Sequence, residues 1–243
     1  MRQSNSYIIL YAAAITIVCG GLLAFTAVSL KDKQDFNIAQ EQKKNILSSV
    51  ITLNEGDDVD AIYNKRVKAF VLDYQGNVVP GKKVQDVVVA SEYKKAPKDR
   101  LLPVYEFRSE ADTSKVEYAV MPVYGYGLWN NIWGFVAVKS DFSTVQGVKF
   151  QHAGETPGLG ARIESEEIQE RFKGKTIFDN GALTSIAIQK GEGNDYSNNP
   201  HKVDGMSGAT LTGKGVNNML KDYLACYENY LKKKAEGNKQ ASL

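Results

Sequence analysis

The chain has 243 residues, 43% of them hydrophobic and 24% charged, which are ordinary proportions for a globular protein. Its formal net charge of +2 at pH 7 is too small to indicate a nucleic-acid-binding protein, and no basic face with interleaved aromatic residues is visible. The two cysteines and two histidines form no CxxC or Cys/His cluster, so we expect no structural zinc, no iron–sulfur site and no other bound metal.

An uncharged apolar run covers residues 7–30. At about 1.5 Å per residue it is long enough to cross a bilayer core of about 30 Å. The apolar part of a cleaved signal peptide is usually only about 7–15 residues long, so we predict a retained transmembrane helix preceded by a short N-terminus, residues 1–6. Arg2 lies before the run and Lys31 and Lys33 lie after it, so charge alone does not fix its orientation.

The rest of the chain predicts a mixed α+β domain over residues 31–231, with helices mainly at its ends. Helical spacing extends from residue 31 to about 51, a short acidic helix is expected at 164–172, and an amphipathic helix follows residue 213. The polar, basic segment 90–100 is expected to be an exposed excursion, and residues 232–243 a basic, disordered tail. Alternating or apolar runs predict strands at 69–72, 78–79, 103–107, 116–123, 132–138, 145–150 and 183–189.

Residues 204–213 (DGMSGATLTG) are rich in glycine and hydroxyl groups and run directly into the last helix. A turn of this kind gathers free backbone N–H groups at the positive end of the helix dipole, where a phosphate can bind. Helix capping is the alternative, with Thr210 or Thr212 as the N-cap and Gly208 as a turn glycine. The residues alone leave both interpretations open.

Two further segments combine glycine with aromatic or turn-forming residues: 124–129 (YGYGLW) and 155–160 (ETPGLG). Glycine allows backbone to approach backbone or ligand closely, and Thr-Pro-Gly is typical of a tight turn. Taken singly, each segment is also compatible with an ordinary loop.

Residues 204–210 resemble the D-x-x-[ST]-G-A-T signature of the covalent FMN-binding domain family, and both glycine segments are similar to segments that this family displays. The resemblance implies that a flavin transferase esterifies the phosphate of one FMN onto Thr210. It also implies that Asp204 serves recognition by the transferase. The N–H groups around Ser207, Gly208 and Ala209 would then hold the phosphate.

The same resemblance implies that other residues of the glycine segments face the flavin: Leu128, Trp129, Thr156, Gly158 and Leu159. Glu155 is either an electrostatic tuner of the flavin or a loop carboxylate. Arg162 either neutralises the phosphate or forms a surface ion pair. No catalytic side chain is expected, because the flavin itself carries the redox chemistry.

The family includes subunits of sodium-translocating NADH:quinone oxidoreductases. The resemblance therefore implies an electron-transfer subunit in the bacterial inner membrane, relaying electrons from NADH toward ubiquinone, with its soluble domain in the periplasm and other subunits as partners. Two alternatives stay open. One is an Rnf-type subunit that passes electrons between ferredoxin and nicotinamide, and the other is a membrane-tethered binding or sensor module without redox turnover.

Overall fold

The structure is a computed structural model that describes residues 4–241, and the chain divides after Gln42 into two compact units. Helix α1 runs unbroken from Asn5 to Ser48, so the apolar run and the helical segment after it form one helix instead of two. Apolar side chains along the first part of α1, such as Leu10 and Leu23, are exposed. Within residues 4–241, α1 is the helix that is long and apolar enough to cross a bilayer.

The second unit contains a five-stranded antiparallel sheet in which every strand pairs with its neighbours in sequence, in the order β1-β2-β3-β4-β5. Its strands are β1 (Val67–Leu72), β2 (Leu102–Arg108), β3 (Val116–Tyr126), β4 (Asn131–Lys139) and β5 (Val145–His152). The remaining elements are short except the last: α2 (Val59–Arg66), α3 (Val89–Glu92), α4 (Glu166–Glu170), β6 (Phe178–Asp179), β7 (Ala182–Leu183), β8 (Ala187–Ile188), β9 (Lys202–Val203) and α5 (Thr210–Ala241).

Alternate residues of the strands point to opposite faces of the sheet, and both faces are buried. On β3, Met121 belongs to the hydrophobic cluster under α5, whereas Val120 belongs to the cluster that contains Ile46 and Leu47 from the end of α1. The sheet is therefore the middle layer of three, and most of its buried positions are apolar on both sides. This arrangement confirms the α+β fold class.

Helix α5 covers one face of the sheet and begins at Thr210. Tyr227 anchors the helix to the sheet: its hydroxyl donates to Pro103 O at 2.9 Å, inside the core. Gly125 on β3 lies against Met219 of the helix, where an added Cβ would come within 2.8 Å of the methionine Cβ. These contacts fix the register of α5 on the sheet and so fix the position of its N-terminus.

The five main strands are confirmed, but in place of the strand expected at 78–79 the structure has an isolated bridge between Val78 and Leu72. The strand expected at 183–189 is wrong as a single element. The chain there forms two separate pairings, β6 with β7 and β8 with β9, because Ser185 has a positive φ of 65° that interrupts an extended backbone.

The segment 90–100 is exposed over residues 94–99, as predicted, but its two ends are anchored in the domain. Arg100 is buried, and its guanidinium lies 5.2 and 5.3 Å from the ring centres of Tyr93 and Tyr223. Glu92 is also buried and accepts a hydrogen bond from the Leu101 N–H at 2.9 Å. Arg100 and Glu92 can be buried because aromatic or hydrogen-bonding partners offset the cost of desolvating their charges.

The predicted basic tail, residues 232–243, is helical where the structure describes it, because α5 continues through Ala241. Lys233 Nζ donates to Gln75 O at 2.8 Å, and Lys234 Nζ forms an ion pair with the buried carboxylate of Glu106 at 2.5 Å. These long-range contacts hold the helix onto the domain beyond residue 231. The last two residues, 242–243, lie outside the described residues.

Candidate functional site

Residues 204–210, called the acceptor turn below, form a partly buried turn that ends at the exposed residue Thr210. Helix α5 begins at Thr210, and the turn before it closes with the Ala209 N–H donating to Met206 O at 3.1 Å. Met206 and Ala209 are buried in the core, whereas Thr210 is exposed. The fold therefore presents the side chain of Thr210, together with that of the exposed Ser207, to solvent at the positive end of a long helix.

Neither threonine acts as the N-cap of α5. The helix begins at Thr210 itself, which places Ala209 at the cap position. Thr212 is 1% exposed, and its hydroxyl donates to Glu155 Oε2 at 2.5 Å. The N–H groups in the first turn of an α-helix lack acceptors within the helix, so they remain available to a ligand beside Thr210.

Glu155 lies at the centre of the site and connects three segments. Its Oε1 accepts hydrogen bonds from the N–H groups of Trp129 at 2.9 Å and Asn130 at 3.4 Å, and its Oε2 accepts from Thr212. The residue is 4% exposed. The carboxylate thus joins the loop 127–130, its own loop 154–160 and the first turn of α5.

Two glycines of the sequence segments are required by this carboxylate. A Cβ added to Gly127 would lie 2.5 Å from Glu155 Oε1, and one added to Gly160 would lie 2.6 Å from Glu155 Oε2. Only glycine lets the backbone approach the carboxylate this closely. Gly127 and Gly160 are therefore explained by packing around Glu155.

The Glu155 carboxylate is stabilised as the anion. Burial raises its pKa, but the hydrogen bonds from Thr212 and from the backbone N–H groups of the 127–130 loop outweigh burial, so that the pKa lies below its usual value. The His152 Nδ1 accepts the Glu155 backbone N–H at 3.2 Å and so holds the loop from its other side.

A second carboxylate, Glu192, contacts the acceptor turn from the opposite direction. It accepts hydrogen bonds from Arg162 at 2.9 and 2.5 Å and from the Ser207 N–H at 2.8 Å, and Arg171 lies 3.4 Å away. These donors, the Arg162 side chain first, lower the pKa of Glu192 to about 2. Of the two interpretations of Arg162, the structure shows an ion pair, and its partner is Glu192.

The N–H groups expected to hold a phosphate are only partly free. The Ser207 N–H is taken by Glu192 and the Ala209 N–H by Met206 O, which corrects the expectation for both residues. Among the described residues, none offers an acceptor to the Gly208 N–H. A phosphate at Thr210 therefore has this group and the first turn of α5 as its backbone donors.

Asp204 organises the loop that precedes the acceptor turn. Its carboxylate accepts hydrogen bonds from the Gly193 N–H at 2.7 Å and from Asn194 Nδ2 at 3.3 Å, and it lies 3.7 Å from an Arg171 nitrogen. Burial raises the pKa of Asp204, but these hydrogen bonds lower it overall. The side chain is thus already bound within the chain.

The remaining residues that the resemblance assigned to the flavin lie on the surface of the two loops. Leu128, Trp129 and Leu159 are 45%, 69% and 41% exposed. Leu159 touches the acceptor turn, because a Cβ on Gly208 would lie 2.7 Å from its Cδ2. The carbonyl of Thr156 closes the turn that contains Gly158, accepting from the Leu159 N–H at 3.1 Å.

Three residues that contact this site could not be identified from the sequence: Thr212, Glu192 and Arg171. Thr212 was considered only as a cap, although its spacing of two residues from Thr210 turns it toward the core on a helix. Glu192 and Arg171 belong to none of the three glycine segments. Only the folded chain brings them to Ser207 and Asp204.

A known family model identifies the class of domain that this chain contains. Residues 127–225 match a family model described as the FMN-binding domain, and this range contains all three glycine segments apart from residues 124–126. The protein therefore contains an FMN-binding domain.

Curated relatives give the particular family. The C subunit of the Na(+)-translocating NADH-quinone reductase of Vibrio anguillarum is 34% identical over 84% of both chains, and that of Pseudomonas aeruginosa is 31% identical over 92% of both. The crystal structure of the C subunit from Parabacteroides distasonis has a TM-score of 0.72 and 32% identity, covering 83% of this chain and 96% of that one. The chain belongs to the family of C subunits of Na(+)-translocating NADH-quinone reductases.

The geometry fits FMN. An exposed hydroxyl for the phosphate lies at a helix start with free N–H groups, and exposed apolar side chains on neighbouring loops provide surface for a flat ring. Leu159 contacts the acceptor turn directly, so the apolar surface begins beside the phosphate position.

Proposed function

We propose that this chain carries one FMN, bound through a phosphoester to Thr210 Oγ1, and relays electrons from NADH toward ubiquinone within a sodium-translocating membrane complex. The observation that carries the proposal is the exposed Thr210 hydroxyl at the first residue of α5, within an intact acceptor motif. The names of the relatives favour this complex over an Rnf-type one. A flavin transferase and the other subunits of the complex are the implied partners.

In the proposed attachment of FMN, the main role of this chain is to expose the Thr210 hydroxyl to the transferase. The ester forms when Thr210 Oγ1 replaces a leaving group on the phosphorus of an activated FMN donor, and the hydroxyl proton is lost to the transferase. Asp204 holds the loop 193–194 against the acceptor turn, which shapes the segment that the transferase recognises. The Gly208 N–H and the first turn of α5 stabilise the remaining phosphate charge.

Bound FMN supplies the redox chemistry, which no side chain of this protein performs. The protein's own contribution is to fix the position of the ring and to limit its contact with water. Leu128, Trp129 and Leu159 supply the apolar contacts, and Glu155 holds the two loops that carry them. A covalent link also prevents loss of the cofactor in a compartment where free FMN is scarce.

We further propose that α1 crosses the inner membrane over residues 7–30, with residues 1–6 in the cytoplasm and the second unit in the periplasm. The unbroken apolar surface of α1 supports a membrane span. Alkaline phosphatase is active only after export, so a fusion after residue 241 should be active. If only a reporter that works in the cytoplasm is active at this position, the orientation is the opposite of the one proposed.

The test of attachment is the intact mass and the denatured visible spectrum of the full chain matured with its transferase. Wild type should gain the mass of one FMN less one water, and its yellow colour should survive denaturation. Thr210→Ala should show neither. Thr184→Ala replaces another exposed threonine, far along the chain in the β7–β8 connection, and should behave as wild type. An adduct that persists in Thr210→Ala, or is absent from wild type beside an active control substrate, would refute the proposal.

A further inference from the structure

We propose that Glu155 is a positioning residue: its carboxylate fixes the loop 127–130 against the first turn of α5 and thereby sets where Leu128 and Trp129 lie relative to Thr210. The functional part of this inference rests on the proposed function, because it concerns residues that face the flavin. The structural part concerns the chain alone and can be tested without any flavin.

The carboxylate is held entirely by neutral donors. Both oxygens are used: Oε1 by the backbone N–H groups of Trp129 and Asn130, and Oε2 by the Thr212 hydroxyl. Among residues 4–241, no lysine, arginine or histidine forms an ion pair with Glu155. Each of these hydrogen bonds is directional and together they engage both oxygens, so this arrangement fixes the geometry of the carboxylate.

The space around the carboxylate leaves little freedom for another arrangement. Gly127 packs on Oε1 and Gly160 packs on Oε2, and both positions exclude a Cβ. Gly215 in α5 lies directly against the carbonyl of Tyr126, so the loop and the helix also meet through their backbones. The loop 127–130 is therefore clamped between Glu155 and α5.

The clamp acts on backbone and leaves side chains free. Trp129 gives its N–H to Glu155 while its side chain is 69% exposed, and Leu128 beside it is 45% exposed. An apolar side chain in solvent on a rigid backbone is ready to contact a flat ligand at low ordering cost. Glu155 thus preorganises Leu128 and Trp129 for contact with a ligand, because it fixes the backbone that carries them.

A matched pair of variants tests the structural part in the flavin-free full chain. Glu155→Gln keeps the size but replaces the anionic carboxylate by a neutral amide, whose single oxygen is a weaker acceptor for the Trp129 and Asn130 N–H groups. Glu166→Gln makes the same change at an exposed glutamate on α4. Amide hydrogen exchange at Trp129 and Asn130 should accelerate about tenfold or more in Glu155→Gln and remain at the wild-type rate in Glu166→Gln. Equal rates in both variants would overturn the proposal.

Thr212→Val covers the case in which Glu155→Gln does not fold. It removes one donor and leaves the carboxylate in place, so exchange at Trp129 and Asn130 should accelerate about threefold. Wild-type exchange in this variant would count against the clamp, because the Thr212 hydroxyl is its link to α5.

The matured protein tests the functional part. Intact mass should show the FMN adduct in all three variants, because Thr210 is unchanged. The visible circular dichroism and flavin fluorescence should differ from wild type in Glu155→Gln and match it in Glu166→Gln. Unchanged flavin spectra with accelerated exchange would refute the functional part. Absence of the adduct from wild type would refute the proposed function, while the exchange rates still decide the structural part.

Discussion

Two carboxylates contact the acceptor turn region, and they are stabilised in opposite ways. Glu155 is buried and held by neutral hydroxyl and backbone donors, whereas Glu192 is partly exposed and held mainly by Arg162 and Arg171. Both have pKa values below the usual range. A low pKa can therefore arise from directional hydrogen bonds in the interior or from charge pairing near solvent. The first should depend on packing and the second on ionic strength.

Gly160→Ala should give the largest effect, because it forces a methyl group against Glu155 Oε2 and Thr212 in the packed cluster. We expect a loss of about 3 kcal/mol in the free energy of unfolding, measured by urea denaturation of the detergent-solubilised chain. Gly154→Ala is the matched control in the same loop, where an added Cβ lies 3.5 Å from Asn130. Equal stability of the two variants would mean that the Glu155 cluster is not tightly packed.

Thr212→Val and Glu192→Gln should separate the two clusters by their response to salt. Thr212→Val removes a hydrogen bond to a buried carboxylate and should cost about 1.5 kcal/mol at any salt concentration. Glu192→Gln should destabilise less, and its effect should shrink between about 0.05 and 1 M NaCl as the screening length falls from more than about 10 Å to about 3 Å. Both are measured by urea midpoints. A salt-dependent loss for Thr212→Val would contradict the distinction.

The smallest effect should appear as a difference in acid sensitivity. The pKa of Glu192 is lowered from 4.5 to about 2, so its contribution to stability is complete above pH 4.5 and is lost as the pH falls toward 2. Glu192→Gln removes this contribution, and its thermal midpoint should fall less steeply than that of wild type between about pH 4.5 and 2.5. The slope that remains should come from groups such as Glu155 and Asp204, whose pKa values are also lowered. Parallel curves would show that Arg162 and Arg171 do not stabilise the carboxylate in the folded state.

Much of the fold could be predicted because it follows from local pattern. The short apolar runs in β3 and β4 identified both strands, and the apolar run of residues 7–30 identified α1 as a candidate span. Local pattern failed where a partner distant in sequence decides the outcome. Arg100 is buried because Tyr93 and Tyr223 flank it, and α5 continues past residue 231 because Lys233 and Lys234 bind distant strands and turns.

For the candidate site, the sequence predicted the segments that form it but not the hydrogen bonds and ion pairs between them. The acceptor motif names Thr210 directly, and the two glycine segments could be singled out by composition and resemblance. What Glu155 does could not be decided, because a carboxylate in a loop looks the same whether it faces a ligand or its own backbone. The Arg162 ion pair was equally undecidable, since its partner, Glu192, lies thirty residues away.

The sequence by itself determined most of the elements and the family, because periodicity and short motifs are local properties of the chain. The tertiary structure alone decided which donors reach which carboxylate. In the folded chain the Thr212 hydroxyl, a cap candidate in the sequence, donates a hydrogen bond to Glu155, and the Ser207 N–H donates one to Glu192. The physical reason is that hydrogen bonds and close packing act over a few ångströms, and only folding brings residues 127–130, 155–160, 192 and 204–212 within that range.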